Sequence, residues 1–503
     1  MPLHDLFRSA KTRERSEIRE RRRWRATAIR YFVPAVLFLA FLVAEKLSFH
    51  ETGTPRRFPD SNVYLASAAE PLLSRGFLLG PRPPATALLY KLVNREESRI
   101  AAAQSLLSVV CWSCLAVAVA GELRSGAAKL AAAVAIGLFS LSVPVNQWDY
   151  VSLSESLSFS LLALTLAATL AMTRRLGDES GERRWLWLLP WAAACLAFAQ
   201  TRDSNIYLLA TLWAAGTLWA AGTFWLAIDA RRRAVRRETP RIRHGPLLAL
   251  LLLTAIVAAS HWASQAAGRW ADPLTNVVLG RVLTSPAVHR EWVERYGLPR
   301  NPVFERYRGK YAFKRSRIGV PIRERFWRHD PKVEEVRIWL SDRGRKAYAR
   351  YLLWDHPLTS LRTSHRALSG HVNSSTARKQ YGRDAGKTPW TEALTRWSYP
   401  VIRRPTAVAA ALLLAGAAAA ILAPAGRRLA LAGLFLVASA WPQAFVTFHG
   451  DTCNVDRHMQ TCGLALRLGA LLMGAVVLDQ VVAWTRRRSV RNSTAMACSR
   501  VYP

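Results

Sequence analysis

The chain has 503 residues, 51% of them hydrophobic, with a net charge of +36 and a mean hydropathy of +0.06. Those figures exclude a single soluble domain and fit apolar spans alternating with strongly basic segments. They also leave nucleic acid a poor explanation of the charge, because the topology below divides the basic clusters between two sides of a membrane.

A membrane-spanning helix needs about 20 mostly apolar residues, and its backbone groups must be satisfied within the segment. On that criterion the sequence predicts an all-α polytopic membrane protein with about ten transmembrane helices. They lie near 31–48, 100–120, 127–145, 154–172, 185–200, 205–228, 246–267, 405–424, 428–448 and 461–485. The run at 185–200 is short and the one at 127–145 is rich in Ala. The implied organisation is a basic tail at 1–30, seven spans within 31–267, a helical extracytoplasmic subdomain at 268–404, three spans within 405–485, and a tail at 486–503.

Lys and Arg in short loops mark the cytoplasmic side. The N-terminal "RERSEIRERRRWR" is therefore inside, and alternation places "TRRLGDESGERR", "RRRAVRRETPRIRH", "AGRR" and "TRRRSVR" there too. The apolar run after the Arg-rich start is too long for a cleavable signal peptide and lacks a small-residue cleavage site. Facing outward are 49–99, "NQWDYVSLSE" (146–155), "TRDSN" (201–205), 268–404 and "FHGDTCNVDRHMQ" (448–460).

Within 268–404, apolar residues recur at helical spacing, and Gly297-Leu298-Pro299 and His356-Pro357 mark breaks. Most of its arginines suit a solvated or headgroup-facing surface. Arg403 and Arg404, at the start of a span on the unfavoured side, suit a phosphate-bearing lipid. Asn373-Ser374-Ser375 is formally a glycosylation sequon, of little weight in a composition of bacterial kind. Cys111 and Cys114, three residues apart in an apolar run, suit packing, whereas Cys453 and Cys462 could pair only in an oxidising compartment.

The distinctive polar residues converge on the outer face. The first loop supplies Asp60, Ser61, Asn62 and Tyr64, and the second Asp149, Ser154 and Glu155. The third supplies Arg202, Asp203 and Asn205, and the last His449, Asp451, Asp456, Arg457 and His458. A carboxylate can take the proton from an acceptor hydroxyl, and Arg or protonated His can stabilise charge on a phosphate leaving group. Singly, each has a plainer reading. Asp60 and Glu155 can cap helices, Arg202 can snorkel, and Arg457 and His458 can pair with Asp456 or anionic lipid. His449, Asp451, Asp456 and His458 do not follow an established zinc spacing, while Mg²⁺ or Mn²⁺ held by carboxylates and substrate phosphate stays open. No nucleotide-binding glycine loop is present, which argues against a nucleotide-sugar enzyme of the Rossmann type.

"FPDSNVYLASA" resembles, at Asp60, the acidic first-outer-loop signature of the GT-C superfamily of integral-membrane glycosyltransferases. "DYVSLSESLSFSLLAL" resembles their second acidic outer loop, and "FHGDTCNVDRHMQTCGLALRL" is similar to the Asp/Glu-x-x-Arg-His element of bacterial relatives. The resemblance implies inverting transfer of a sugar from a polyprenyl-phosphate donor to a glycan, lipid or protein acceptor of the cell envelope. The expected location is the bacterial plasma membrane, with the site on its extracytoplasmic face. By that resemblance Asp60 is the general base, and Asp149 or Glu155 positions the acceptor or a metal. Assigned by their chemistry and side of the membrane rather than by a motif match, Arg202, Arg457 and His458 are then phosphate contacts, with Asn62, Tyr64, Asp203, His449 and Asp451 in the substrate site.

Two other functions compete. A transporter or flippase for a lipid-linked or anionic substrate would place charges near the bilayer midplane, with repeated halves. An envelope assembly protein would use 268–404 as a docking surface.

Overall fold

The computed structural model describes residues 37–47, 56–177, 184–217, 244–312, 320–374 and 389–501. The N-terminal tail, the basic loop at 229–243, and residues 31–36, 48 and 218–228 of the predicted first and sixth spans lie outside these residues. The principal helices are α1 (37–47), α2 (Pro59–Ala69), α3 (Glu97–Glu122), α4 (Gly126–Leu141), α5 (Ser154–Gly177), α6 (Leu188–Ala199), α7 (203–217), α8 (His244–Ala266), α9 (Pro405–Leu422), α10 (Arg427–Gly450) and α11 (Val455–Val501). No strand occurs among the described residues, which hold only one isolated bridge, between Arg56 and Val151.

Six of these helices are long and apolar enough to cross a membrane: α3, α5, α8, α9, α10 and the apolar part of α11. Among the described residues six helices meet this criterion, or seven if α4 and its continuation through Tyr150 count as one bent span, against the ten expected over the whole chain. The 26 residues of α3 rise roughly 39 Å at 1.5 Å each, enough for a core of about 30 Å. By contrast, α6 has 12 residues and packs its apolar face into the bundle. The run at 127–145 is broken at Ser142, which has φ −58° and ψ 141°, and Pro144, lacking an N–H, sits in the first turn of the short helix that follows. Ser142 Oγ turns back onto Phe139 O at 2.6 Å, and the chain bends by 57°.

The helix ends define two poles. Arg57 pairs with Glu97 at the start of α3, while Glu122 at its end meets Arg428 at the start of α10, 2.9 Å away. Asp479, far along α11, accepts from the backbone N–H groups of Arg124 and Ser125 at that same pole. Residues 56–60, 450–457 and the start of α5 therefore lie at the other pole. Between α10 and α11 the backbones come close at two glycines. A Cβ on Gly469 would stand 2.9 Å from Gly433 O, the small-residue contact on which membrane helices pack.

Residues 274–347 build a second apolar core around Trp292, whose ring lies 5.6–5.9 Å from those of Tyr296, Trp339, Tyr348 and Tyr351. Gly297 ends the helix Pro286–Tyr296 at φ 68°, a left-handed value that suits glycine, and Pro357 opens a later one. This unit seats on the bundle through 448–453. Asn276 Nδ2 donates to Asp451 Oδ1 at 3.0 Å, Tyr348 OH to His449 O at 2.7 Å, and the Arg281 guanidinium covers the Phe448 ring at 3.8 Å.

Candidate functional site

Asp60 is the second residue of α2, and capping does not consume it. Ser61 Oγ accepts from Phe58 N at 2.9 Å, which leaves the Asp60 carboxylate free to face side chains. Its Oδ1 accepts from Arg82 at 2.8 Å and its Oδ2 from Arg457 at 3.0 Å. Burial alone would raise the Asp60 carboxyl. Arg82 and Arg457, with Arg202 behind them, outweigh it and hold the group below its ordinary range. Beneath Arg82 lies Tyr64, ring centre 5.4 Å from the guanidinium carbon, packed edge-on against buried Tyr90.

Glu155, 1% exposed, opens α5 beside this pair. Its Oε1 is 3.2 Å from both Arg202 Nη1 and Arg457 Nε, in ion-pair contact without aligned hydrogen bonds. Its Oε2 makes no hydrogen bond among the described residues. The Arg56 backbone exchanges hydrogen bonds with Tyr150 and Ser152, which presses the loop carrying Glu155 against the strand-like entry to α2. His458 Nε2 lies 3.4 Å from Arg457 Nη2. The cluster thus sets two carboxylates, Asp60 and Glu155, against three guanidinium groups, Arg82, Arg202 and Arg457, leaving one positive charge in excess.

Other residues expected in the site serve elsewhere. Asp149 is closed off by Lys46, whose Nζ is 2.6 Å from Oδ2 and also donates to Ser108 and Asn146. Asp203 pairs with Arg269 at 3.2 Å, and Arg269 Nε in turn donates to Gly80 O, bracing the connector that carries Arg82. His449 Nε2 meets Ser360 O at 2.9 Å. Asp451 Oδ1 accepts from Thr452 N and Cys453 N to form the turn into α11. Asn62 is exposed, and Asp456 lies 3.8 Å from His371. Asn205 binds Ser158, Thr201 and the Phe198 carbonyl. Cys453 and Cys462 are unpaired. Asn373 is tied to the Ile402 backbone and Arg467 rather than presented as a sequon.

Two basic residues were invisible to the sequence argument. Arg82 sits in "GPRPPA", a connector without periodicity, and Lys46 near the end of an apolar run reads as a snorkelling side chain. Lys46 is instead fully buried and locks α1 to the bent segment. Lys46→Met should destabilise the protein by about 3–5 kcal/mol, because it strands a buried carboxylate. Lys46→Met combined with Asp149→Leu should recover much of that loss. Unfolding in detergent checks it, and a single variant as stable as wild type would overturn the lock.

A divalent ion does not suit this cluster. Both carboxylates are already countered by guanidinium groups, and His449 and Asp451 are engaged elsewhere. Among the described residues no group of three or more His, Cys, Asp or Glu is disposed to hold a metal.

No protein-family model matches the chain, and no curated protein matches it. Among solved structures it is similar to the archaeal oligosaccharyltransferase AglB from Archaeoglobus fulgidus, in complex with an inhibitory peptide and a dolichol-phosphate. The TM-score is 0.42 at 12% identity, and the match covers 93% of this chain and 52% of that one. The chain thus spans about half the length of that protein. A likeness of this degree leaves the functional reading to the site itself.

Proposed function

We propose that the chain is an integral-membrane glycosyltransferase of the GT-C kind. In this reading it moves a sugar, with inversion, from a polyprenyl-phosphate donor to an acceptor on the extracytoplasmic face of the bacterial plasma membrane. One observation carries the reading: three arginines from three separate segments converge on Asp60 and Glu155 at one pole of an apolar bundle. An excess guanidinium charge at that depth suits the phosphate of a lipid whose chain lies along the spans.

In this reading the chemistry runs as a single displacement. The acceptor hydroxyl gives its proton to the Asp60 carboxylate as its oxygen bonds to the anomeric carbon. The bond from that carbon to the phosphate oxygen breaks, and the electron pair stays on the phosphate, where Arg82, Arg202 and Arg457 stabilise it. Glu155 holds Arg202 and Arg457 in place beneath the phosphate. Phosphate binding also draws Arg82 and Arg457 away from Asp60, so the base is released when the donor is in place.

Native mass spectrometry of the purified protein with undecaprenyl phosphate tests the reading. The wild type should retain undecaprenyl phosphate at least tenfold more tightly than undecaprenol, and Arg82→Ala should narrow that gap. Equal retention of the two lipids would remove the proposed donor site.

A further inference from the structure

A cavity of about 480 Å³ opens against the connector that leads into Arg82, within the range of roughly 300–1,000 Å³ that small-molecule sites occupy. Gly80 and Pro81 form one side, and Arg323, Glu324, Trp327 and Arg328 of the 274–347 unit form the other. Two links join it to the cluster. Pro81 is followed directly by Arg82, and Asp272, which holds Arg323 at 2.9 Å, lies within the field of Arg82.

The lining has a particular chemistry. Trp327 is 62% exposed although it stands at a cavity wall, so its indole offers an uncovered flat apolar face. The Arg328 side chain is 76% exposed and reaches Glu324 only at 4.0 Å, so both have hydrogen-bonding capacity to spare. The rest of the lining is small or apolar: Leu79, Gly80, Pro81, Ala267 and Pro321. A sugar ring has the complementary form: one face of C–H groups for the indole and a rim of hydroxyls for carboxylate and guanidinium. A peptide acceptor would find no sheet edge to pair with among the described residues.

We propose that this cavity holds a saccharide acceptor, stacked on Trp327, with its hydroxyls on Glu324 and Arg328. The word acceptor rests on the glycosyltransferase reading, whereas the saccharide site rests on the cavity alone. Placed next to Arg82, the bound sugar would direct a hydroxyl towards Asp60. Binding energy gained on Trp327 would serve to position that hydroxyl.

The test is ligand-observed saturation-transfer NMR on the purified full chain, with cellotriose, chitotriose and trigalacturonic acid as probes and no donor present. The wild type should bind at least one probe. Trp327→Ala should weaken it about tenfold or more, and Trp327→Phe, which keeps a flat ring, should restore much of the affinity. Because Trp327 is largely exposed, the alanine variant should fold, and its thermal transition should match wild type. No binding of any probe to wild type, equal binding to Trp327→Ala, or preference for an acidic peptide over every saccharide would overturn the proposal. The two readings fail separately. Saccharide binding through Trp327, with no transfer from any lipid-phosphate donor, would remove the transferase and with it the word acceptor. Transfer with an unchanged acceptor KM in Trp327→Ala would remove the cavity and leave the transferase.

Discussion

Asp60→Asn is expected to lower sugar transfer by about 10²–10⁴-fold, the usual contribution of a general base, while folded yield and thermal stability stay near wild type. The asparagine amide oxygen can still accept from Arg82 or Arg457 but cannot take a proton from a hydroxyl. The helix start does not depend on it, since Ser61 makes the contact to Phe58 N. The Asp60 side chain is 30% exposed, so solvent screens much of its charge and limits the effect on stability. Asp60→Glu should retain only a trace, because the extra methylene misplaces the carboxylate.

The pH dependence adds a second readout. In the free protein the arginines hold the Asp60 carboxyl below its ordinary range. The base works only when deprotonated, so the rate falls as pH falls through its pKa. If donor phosphate draws Arg82 and Arg457 away, that pKa rises in the complex. The acid limb of kcat, which reports the complex, should then lie at higher pH than that of kcat/KM for the donor, which reports the free enzyme. Wild-type transfer by the asparagine variant, or coincident acid limbs, would deny Asp60 this role.

Four members of the cluster were legible because polar residues at the ends of apolar runs stand out. Asp60, Glu155, Arg202 and Arg457 each adjoin a run of that kind. Their convergence was expected from alternation of the spans, and the described residues show it at one pole of the bundle. A hydropathy sum does not separate a crossing helix from a short apolar helix inside the bundle, which is why α6 and the segment broken at Ser142 were counted. Nor does it tell a carboxylate in a site from one in a buried lock, since Asp149 and Glu155 lie six residues apart in the same polar stretch. Their separation depends on Lys46, and an amine on a flexible stem at a helix end gives no sign in sequence of where it points. Arg82 was illegible for a related reason. Its placement depends on Asp203 and Arg269 bracing Gly80, contacts between segments distant in sequence.

Arg82 also decides how donor binding should be tested. As an expected phosphate contact, Arg457 would be the first residue to replace with Ala. The geometry argues against that choice. Arg457 is buried, and its removal leaves the almost fully buried Glu155 with Arg202 alone. Breaking such a pair by removing one partner costs about 3–5 kcal/mol, so Arg457→Ala should unfold at markedly lower temperature, and any loss of donor binding would be confounded. Arg82 is 34% exposed and pairs with the partly exposed Asp60, which keeps Arg457 as a partner. Arg82→Ala should therefore change stability by no more than about 1 kcal/mol. A lost charge-assisted hydrogen bond to phosphate is worth about 1.5–3 kcal/mol, or roughly 10–100-fold in affinity, for undecaprenyl phosphate. Arg82→Lys should recover only part of it, because an ammonium cannot reproduce the planar fork. Donor affinity is measured by titrating the lipid against the purified variants, and stability by thermal unfolding in the same detergent. Wild-type affinity in Arg82→Ala would confine Arg82 to holding Asp60, and a thermal transition of Arg457→Ala equal to wild type would mean that Glu155 does not depend on it.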